Sequence, residues 1–224
     1  MVTAILLAAG KSLRFIKGRN KVLFKICGKP VIYYSLLALS RHPKIDEIIV
    51  VSSLETLSKI KRLIKGYRIN KVSKVILGGK ERKDSVSSGL KELSLKTSLV
   101  VIHDAARPFI NSKIITDSIL AAKKRGAAVV GVPLKYTVKE VSKGFVVRTL
   151  KREDIWEIQT PQVFKKEIIL KAYKNKLGYA TDDAVLVEKM GIKPVVVLGS
   201  YSNLKITTFE DIFFAEAILK GNLL

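Results

Sequence analysis

An α/β fold with three layers around a mostly parallel sheet is what this sequence predicts, on two observations. Short apolar runs rich in β-branched residues recur along the chain, as buried parallel strands do, and segments of helical spacing lie between them. The runs are Ala4–Leu7, Ile48–Val51, Val72–Leu77, Leu99–Ile102, Ala127–Val132 and Pro194–Leu198. Pro30 suits a helix's first turn ahead of Val31–Leu39. Gly126 stops a helix after Ala121–Arg125, and Gly191 another after Ala184–Met190. Thr181-Asp182-Asp183 reads as a helix start with acids at the favourable end. Thr208-Phe209-Glu210-Asp211 has the spacing of a capping box opening the last helix, with Asp211 the shorter cousin of the usual Glu.

One stretch breaks the rhythm. From Pro133 to Arg152 the residues follow no helical period, and the segment predicts a hairpin arm turning near Ser142-Lys143-Gly144. A two-stranded ribbon is marginal alone, so it needs a surface to lie on, and a neighbouring subunit is one such surface. Trp156 is placed to anchor the arm's return to the body. With no internal repeat or long linker, the chain is expected to be a single domain, 1–224, with an excursion at about 133–152.

Composition narrows the function. The 224 residues are 48% apolar, enough for a full core, which excludes a disordered chain. No stretch reaches the roughly 18 apolar residues of a membrane span, so a soluble, cytoplasmic protein without membrane partners is expected. The single cysteine, Cys27, excludes an internal disulfide or a cysteine-built zinc site and reads as a buried or idle thiol. A formal charge of +22 favours anionic partners in general. Its lysines are scattered without a block and aromatics are few, which argues against nucleic acid; many lysines among glutamates is also a heat-adapted surface.

The chemistry concentrates after the strands. The first run leads into Ala8-Ala9-Gly10-Lys11-Ser12-Leu13-Arg14, with Lys21 beyond: small residues let main-chain N–H groups approach a phosphate, and the cations supply charge. Gly10-Lys11-Ser12 imitates the end of a P-loop, but the position five before Gly10 is Ile5, inside the strand, where the phosphate-wrapping turn cannot begin. In an open α/β sheet ligands sit beyond the carboxyl ends of the strands. There the first loop meets Gly78-Gly79-Lys80-Glu81-Arg82-Lys83-Asp84-Ser85 and His103-Asp104-Ala105-Ala106-Arg107-Pro108. The second offers a glycine pair and a helix start for base and ribose, and Asp104 is placed to hold Mg²⁺. His103 reads as a packing residue.

These pieces, with Thr160-Pro161-Gln162, Thr181-Asp182-Asp183-Ala184 and Asn203-Leu204-Lys205-Ile206-Thr207, occur in the order seen in the 2-C-methyl-D-erythritol 4-phosphate cytidylyltransferase family, which the chain resembles over nearly its whole length. The resemblance implies a Rossmann-like nucleotidyltransferase sheet with a protruding β-arm, a homodimer formed through that arm, and transfer of CMP from CTP to a sugar-alcohol phosphate. Relatives acting on ribitol 5-phosphate look similar and are the alternative acceptor class. By that resemblance Arg14, Lys21 and Lys205 are the catalytic cations on the phosphates. Ala8, Ala9, Gly10, Gly79 and Ser85 contact the nucleotide, and Asp104 is the magnesium-side carboxylate. Arg107, Thr137, Arg152, Thr160 and Thr207 take the acceptor, with Thr137 and Arg152 on the arm that crosses to the other subunit. Lys11 is the cation expected to matter less. Ser12 stands where the family commonly has glycine, and Val22-Leu23-Phe24 where it often has Gln and an aromatic or leucine.

Overall fold

In the computed structural model, which describes residues 1–16, 18–175 and 180–221, the strands are β1 (Val2–Ala8), β2 (Lys25–Ile26), β3 (Lys29–Pro30), β4 (Glu47–Ser52), β5 (Val72–Leu77), β6 (Leu99–Asp104), β7 (Ala127–Pro133), β8 (Lys139–Ser142), β9 (Phe145–Thr149), β10 (Trp156–Lys165) and β11 (Val195–Leu198). The helices are α1 (Val31–Arg41), α2 (Leu54–Gly66), α3 (Arg82–Lys91), α4 (Ser112–Arg125), α5 (Lys166–Lys174), α6 (Asp183–Glu188) and α7 (Glu210–Lys220). Seven strands make the central sheet in the order β11-β7-β10-β6-β1-β4-β5. All pairs are parallel except those of β10, which runs antiparallel to both β6 and β7.

The centre of the sheet explains the continuous apolar runs. On β1, Ala4, Leu6 and Ala8 face a core with Leu36, Leu39 and Ile115, while Ile5 and Leu7 face a second core with Val86, Leu90 and Phe164. A strand covered on both faces has no solvent side on which polar residues would be favoured, so alternation vanishes. Each fully buried Leu or Ile here contributes roughly 1.5–3 kcal/mol relative to exposure.

All six expected runs are strands of this sheet, whereas β10 has no apolar run to announce it. Glu157, Gln159, Thr160 and Gln162 interrupt its pattern, and Pro161 argues against a central strand. The proline is accommodated where the register with β7 shifts between Gln159 and Gln162; the Thr160–Pro161 peptide is cis.

Gly126 caps α4 at φ +93° and Gly191 follows α6 at φ +79°, the left-handed conformation that glycine adopts without penalty. The capping-box expectation at the last helix holds only in half. Asp211 accepts from the N–H groups of Thr207 (2.7 Å) and Thr208 (2.9 Å), but α7 begins at Glu210, with Phe209 rather than Thr208 at the cap.

The arm forms as expected. Among the described residues β8 and β9 pair only with each other, around Lys143 (φ +50°) and Gly144 (φ +85°), the positive-φ pair that matches a hairpin's twist. Its apolar side chains are open, Phe145 at 78% and Val146 at 61% exposure. Trp156 starts β10 opposite Pro133 and lies over Gly131, at the arm's root. Cys27 is exposed rather than buried. Among the described residues no helix is long and apolar enough to cross a membrane.

Candidate active site

The carboxyl ends of β1, β5 and β6 border a cleft of about 240 Å³. Gly10 and Lys21 enter it from the first loop, Gly79 and Ser85 from the second, Asp104 from the end of β6, and Lys205 from the segment after β11. Lys21 is delivered by a single 3₁₀ turn capped by the Asn20 side chain, and its N–H donates to the Ser12 hydroxyl at 3.2 Å. Ser12 sits at φ +56°, a conformation that favours glycine, the residue that the resemblance led one to expect there. Here the serine offsets the backbone strain with a loop-closing hydrogen bond.

The glycine pair is required by close approach. A Cβ on Gly78 would lie 2.5 Å from the Ser85 hydroxyl and 2.7 Å from Ala9 Cβ, and one on Gly79 would lie 2.2 Å from Asp84 Cβ. Asp84 in turn accepts from the Glu81 N–H (3.1 Å), which fixes the start of α3 and hence Ser85.

Electrostatically the cleft centres on Asp104. Its Oδ1 accepts from Arg82 Nε (3.3 Å) and its Oδ2 from Lys205 Nζ (2.6 Å). Burial alone would raise its pKa, but Arg82 and Lys205 outweigh that and hold the carboxyl well below the usual range, so it is ionised. Across the cleft, burial and then the charge of Lys205 bring Lys21 down to about 8, with Arg14 pushing in the same direction. Lys205 is seated because the Ile206 N–H donates to Ala106 O (2.8 Å), joining the last segment to the turn that follows Asp104.

His103 lies beneath this turn, fully buried, and burial pulls its pKa to about 4. It is neutral at pH 7. Its Nε2 faces Arg107 O (3.1 Å), which only accepts, so that nitrogen carries the proton; the Thr160 hydroxyl then donates to Nδ1 (3.0 Å) and accepts from the Asp104 N–H (3.1 Å). The packing role expected for His103 is thus a hydrogen-bonding one.

The remaining expected site residues are placed as follows. Ala9, Gly10, Lys21, Gly79, Ser85, Asp104 and Lys205 share the cleft, as does Lys11. Ala8 is buried inside β1, and Arg14 is exposed on the first loop near Lys21. Arg107 is buried with its guanidinium on Asn203 O (2.8 Å) and Ile158 O (3.5 Å), and Thr160 is committed to His103 and Asp104. The Thr207 hydroxyl donates to Lys205 O (3.2 Å). Thr137 and Arg152 stand exposed on the arm, Arg152 donating to Lys135 O (2.9 Å). Sequence reasoning assigned no role to Arg82, whose place in Glu-Arg-Lys-Asp looks like an ordinary charged helix start, nor to Asn203, which donates to Gln159 Oε1 and Thr160 O, nor to Gln162, which accepts from the Asp183 N–H at the start of α6.

A cleft at parallel strand ends that joins a small-residue loop, several cations and one ionised carboxylate defines a nucleotidyltransferase-type α/β protein. The sequence profile described as 2-C-methyl-D-erythritol 4-phosphate cytidylyltransferase matches residues 2–221. Proteins of that name are 46% identical over 220 residues in Dehalococcoides mccartyi (98% of this chain, 96% of that protein) and 44% identical over 223 residues in Alkaliphilus metalliredigens (97% and 92%). The crystal structure of 4-diphosphocytidyl-2C-methyl-D-erythritol synthase from Anaerococcus prevotii superposes with a TM-score of 0.87 at 34% identity, covering 98% of this chain and 96% of that one. The chain belongs to the 2-C-methyl-D-erythritol 4-phosphate cytidylyltransferase family.

Proposed function

We propose that this enzyme transfers CMP from CTP to 2-C-methyl-D-erythritol 4-phosphate, giving the CDP-alcohol and pyrophosphate for isoprenoid precursor synthesis by the non-mevalonate route. The observation that carries the reading is the convergence of Lys21, Lys205 and Asp104 on one cleft beside the Ala9–Gly10 loop. An acceptor phosphate oxygen attacks the α-phosphorus, a new P–O bond forms, and the bond to the β-phosphate oxygen breaks as pyrophosphate leaves. The nucleophile is already an anion, so no general base is needed. Lys21, Lys205 and Arg14 lower the barrier by holding two repelling polyanions together and by stabilising charge that grows on the α-phosphate.

Mg²⁺ fits the site in one way. Among the described residues no group of three or more His, Cys, Asp or Glu could hold a metal, so a resident all-protein cage is not offered. One ionised carboxylate, Asp104, remains, and one carboxylate plus substrate phosphates is the usual binding mode of Mg²⁺. Bound there, the ion supplies charge neutralisation to the triphosphate. Asp104 keeps lone pairs for it beyond those that Arg82 and Lys205 engage.

The open Phe145 and Val146 of the arm support a homodimer in which Thr137 and Arg152 reach the partner's acceptor pocket. We take the chain as one catalytic unit with that excursion, working in the cytoplasm where its nucleotide is made. The test is pyrophosphate release with CTP, ATP, GTP and UTP against methylerythritol phosphate and ribitol 5-phosphate, with and without Mg²⁺. Turnover only with CTP, Mg²⁺ and methylerythritol phosphate is expected, and a preference for ribitol phosphate overturns the acceptor assignment.

A further inference from the structure

We propose that Asp183 is a positioning residue for Asp104, acting through Arg82; the inference rests on the reading of the cleft given above. Asp183 opens α6 and is fully buried, yet it does not line the cleft. Both of its carboxylate oxygens and its N–H are engaged, one oxygen on the Asp104 side and the rest against the protein behind it. Its Oδ2 accepts from Arg82 Nη2 (2.9 Å), its Oδ1 from the Tyr173 hydroxyl (2.6 Å), and its N–H donates to Gln162 Oε1 (3.2 Å). Gln162 in turn donates to Asp182 Oδ2 (2.7 Å), whose other oxygen caps α6 at Val185 N (3.1 Å). The Arg82 guanidinium is therefore pinned on one edge by Asp183 and presents Nε to Asp104 Oδ1 (3.3 Å). A planar fork bridges the two carboxylates with its edges in fixed directions, which the rotatable donors of a lysine ammonium do not enforce.

Two physical arguments give this wall a purpose beyond folding. A buried ion pair is a poor source of stability, because desolvation consumes most of the attraction and apolar residues of the same volume do as well; what it supplies is direction. The second argument concerns Lys205, the other cation on Asp104, whose side chain is 38% exposed. In the reaction Lys205 turns to a phosphate, and Arg82 is then the group left holding Asp104. Without Asp183, Arg82 would be held by Asp104 alone, on a single 3.3 Å contact, and could swing from the cleft wall onto the triphosphate. With it, Arg82 and the two carboxylates together carry one net negative charge, and the cleft keeps a fixed anionic point among its cations. Burial works against the charged guanidinium, but Asp104 and Asp183 outweigh it and raise its proton affinity above the ordinary arginine value, consistent with a permanently charged bridge.

The test uses the full-length protein in steady-state assays, calorimetry of Mg²⁺ with CTP in the absence of acceptor, and thermal melts. Asp183→Asn keeps the shape and the Gln162 contact but removes the charge that pins Arg82. It is expected to lower kcat about 100-fold, the scale of losing one aligned electrostatic contact, and to weaken binding of Mg²⁺ with CTP. Arg82→Ala should regain turnover with added guanidinium ion and not with ammonium, with no rise in its melting temperature over the same additions; a merely structural role would move the two together. Because a single substitution leaves a buried charge unpaired, Arg82→Met with Asp183→Leu removes both together: its melt should return toward wild type while turnover stays low. A kcat within twofold of wild type in Asp183→Asn, or native-like activity in the well-folded double variant, overturns the inference. Wild-type pyrophosphate release that is lost in Asp104→Asn upholds the reading of the reaction whatever Asp183→Asn does. Absence of release by the wild type overturns that reading and this inference with it.

Discussion

Lys21 should take up a proton when the triphosphate arrives. In the free cleft, burial and the neighbouring Lys205 lower its pKa to about 8, against an ordinary value near 10.5. A polyanion laid across it restores the ordinary value or exceeds it, so binding and protonation are linked. At pH 8 about half of the sites start deprotonated, and about half a proton is taken up per CTP bound; the figure falls to about 0.1 at pH 7 and rises to about 0.9 at pH 9. CTP affinity is accordingly flat below pH 8 and falls about tenfold per pH unit well above it. The sign for the free protein is opposite: the fold disfavours charged Lys21, so stability rises as pH climbs from 8 toward 10.5. Calorimetric titration of CTP with Mg²⁺ in buffers of different ionisation enthalpy counts the protons, and Lys21→Gln should remove the dependence. Binding enthalpies that do not vary with buffer between pH 8 and 9 would refute the reasoning.

Other expectations follow from neighbouring geometry. His103 is neutral in the fold down to about 4 while the unfolded chain takes up a proton below 6.5, so stability is full above 6.5 and declines by roughly 3 kcal/mol as pH falls to 4. Melts from pH 7.5 to 4.5 should show a steeper profile for wild type than for His103→Gln, and equal profiles count against it. Gly79→Ala, whose Cβ meets Asp84 at 2.2 Å, should raise the CTP KM with a small change in Tm. Gly89→Ala, 2.7 Å from Ile5 in the core, should do the reverse, costing roughly 1–3 kcal/mol of stability; paired melts and kinetics check both, and an inverted pattern refutes the packing argument. Mixing Arg152→Ala with Lys21→Ala chains should restore activity in exchanged dimers if arm and cleft work across subunits, and no rescue after proven exchange argues for a site within one chain.

The inner parallel strands β1, β4, β6 and β7 were legible because each is buried on both faces, so hydrophobicity alone marks them, while the edge strands β5 and β11 showed through their β-branched residues although partly exposed. The glycine stops were legible because positive φ leaves little choice of residue. Strand β10 was not, since its polar residues serve hydrogen bonds made far away in sequence: Thr160 with His103, Gln162 with the start of α6. The same reason hid the pairing of Arg82 with Asp183, two ordinary-looking charges whose meeting only the fold brings about. Asp104, Lys21 and Lys205 were nameable through their motif context, and their common cleft is what the fold adds.

The joint between Ile206 and Ala106 has a consequence for synthesis of the protein. The nucleotide loops and Asp104 all lie in the first half of the chain, so a ribosome can complete them long before it reaches residue 205. Until then the cleft lacks one of its phosphate-facing cations, and Asp104 lacks one of its two partners. A chain ended before Lys205 would therefore lack a cation that the reaction uses even where every nucleotide loop has been made, and catalysis requires that translation has passed that residue.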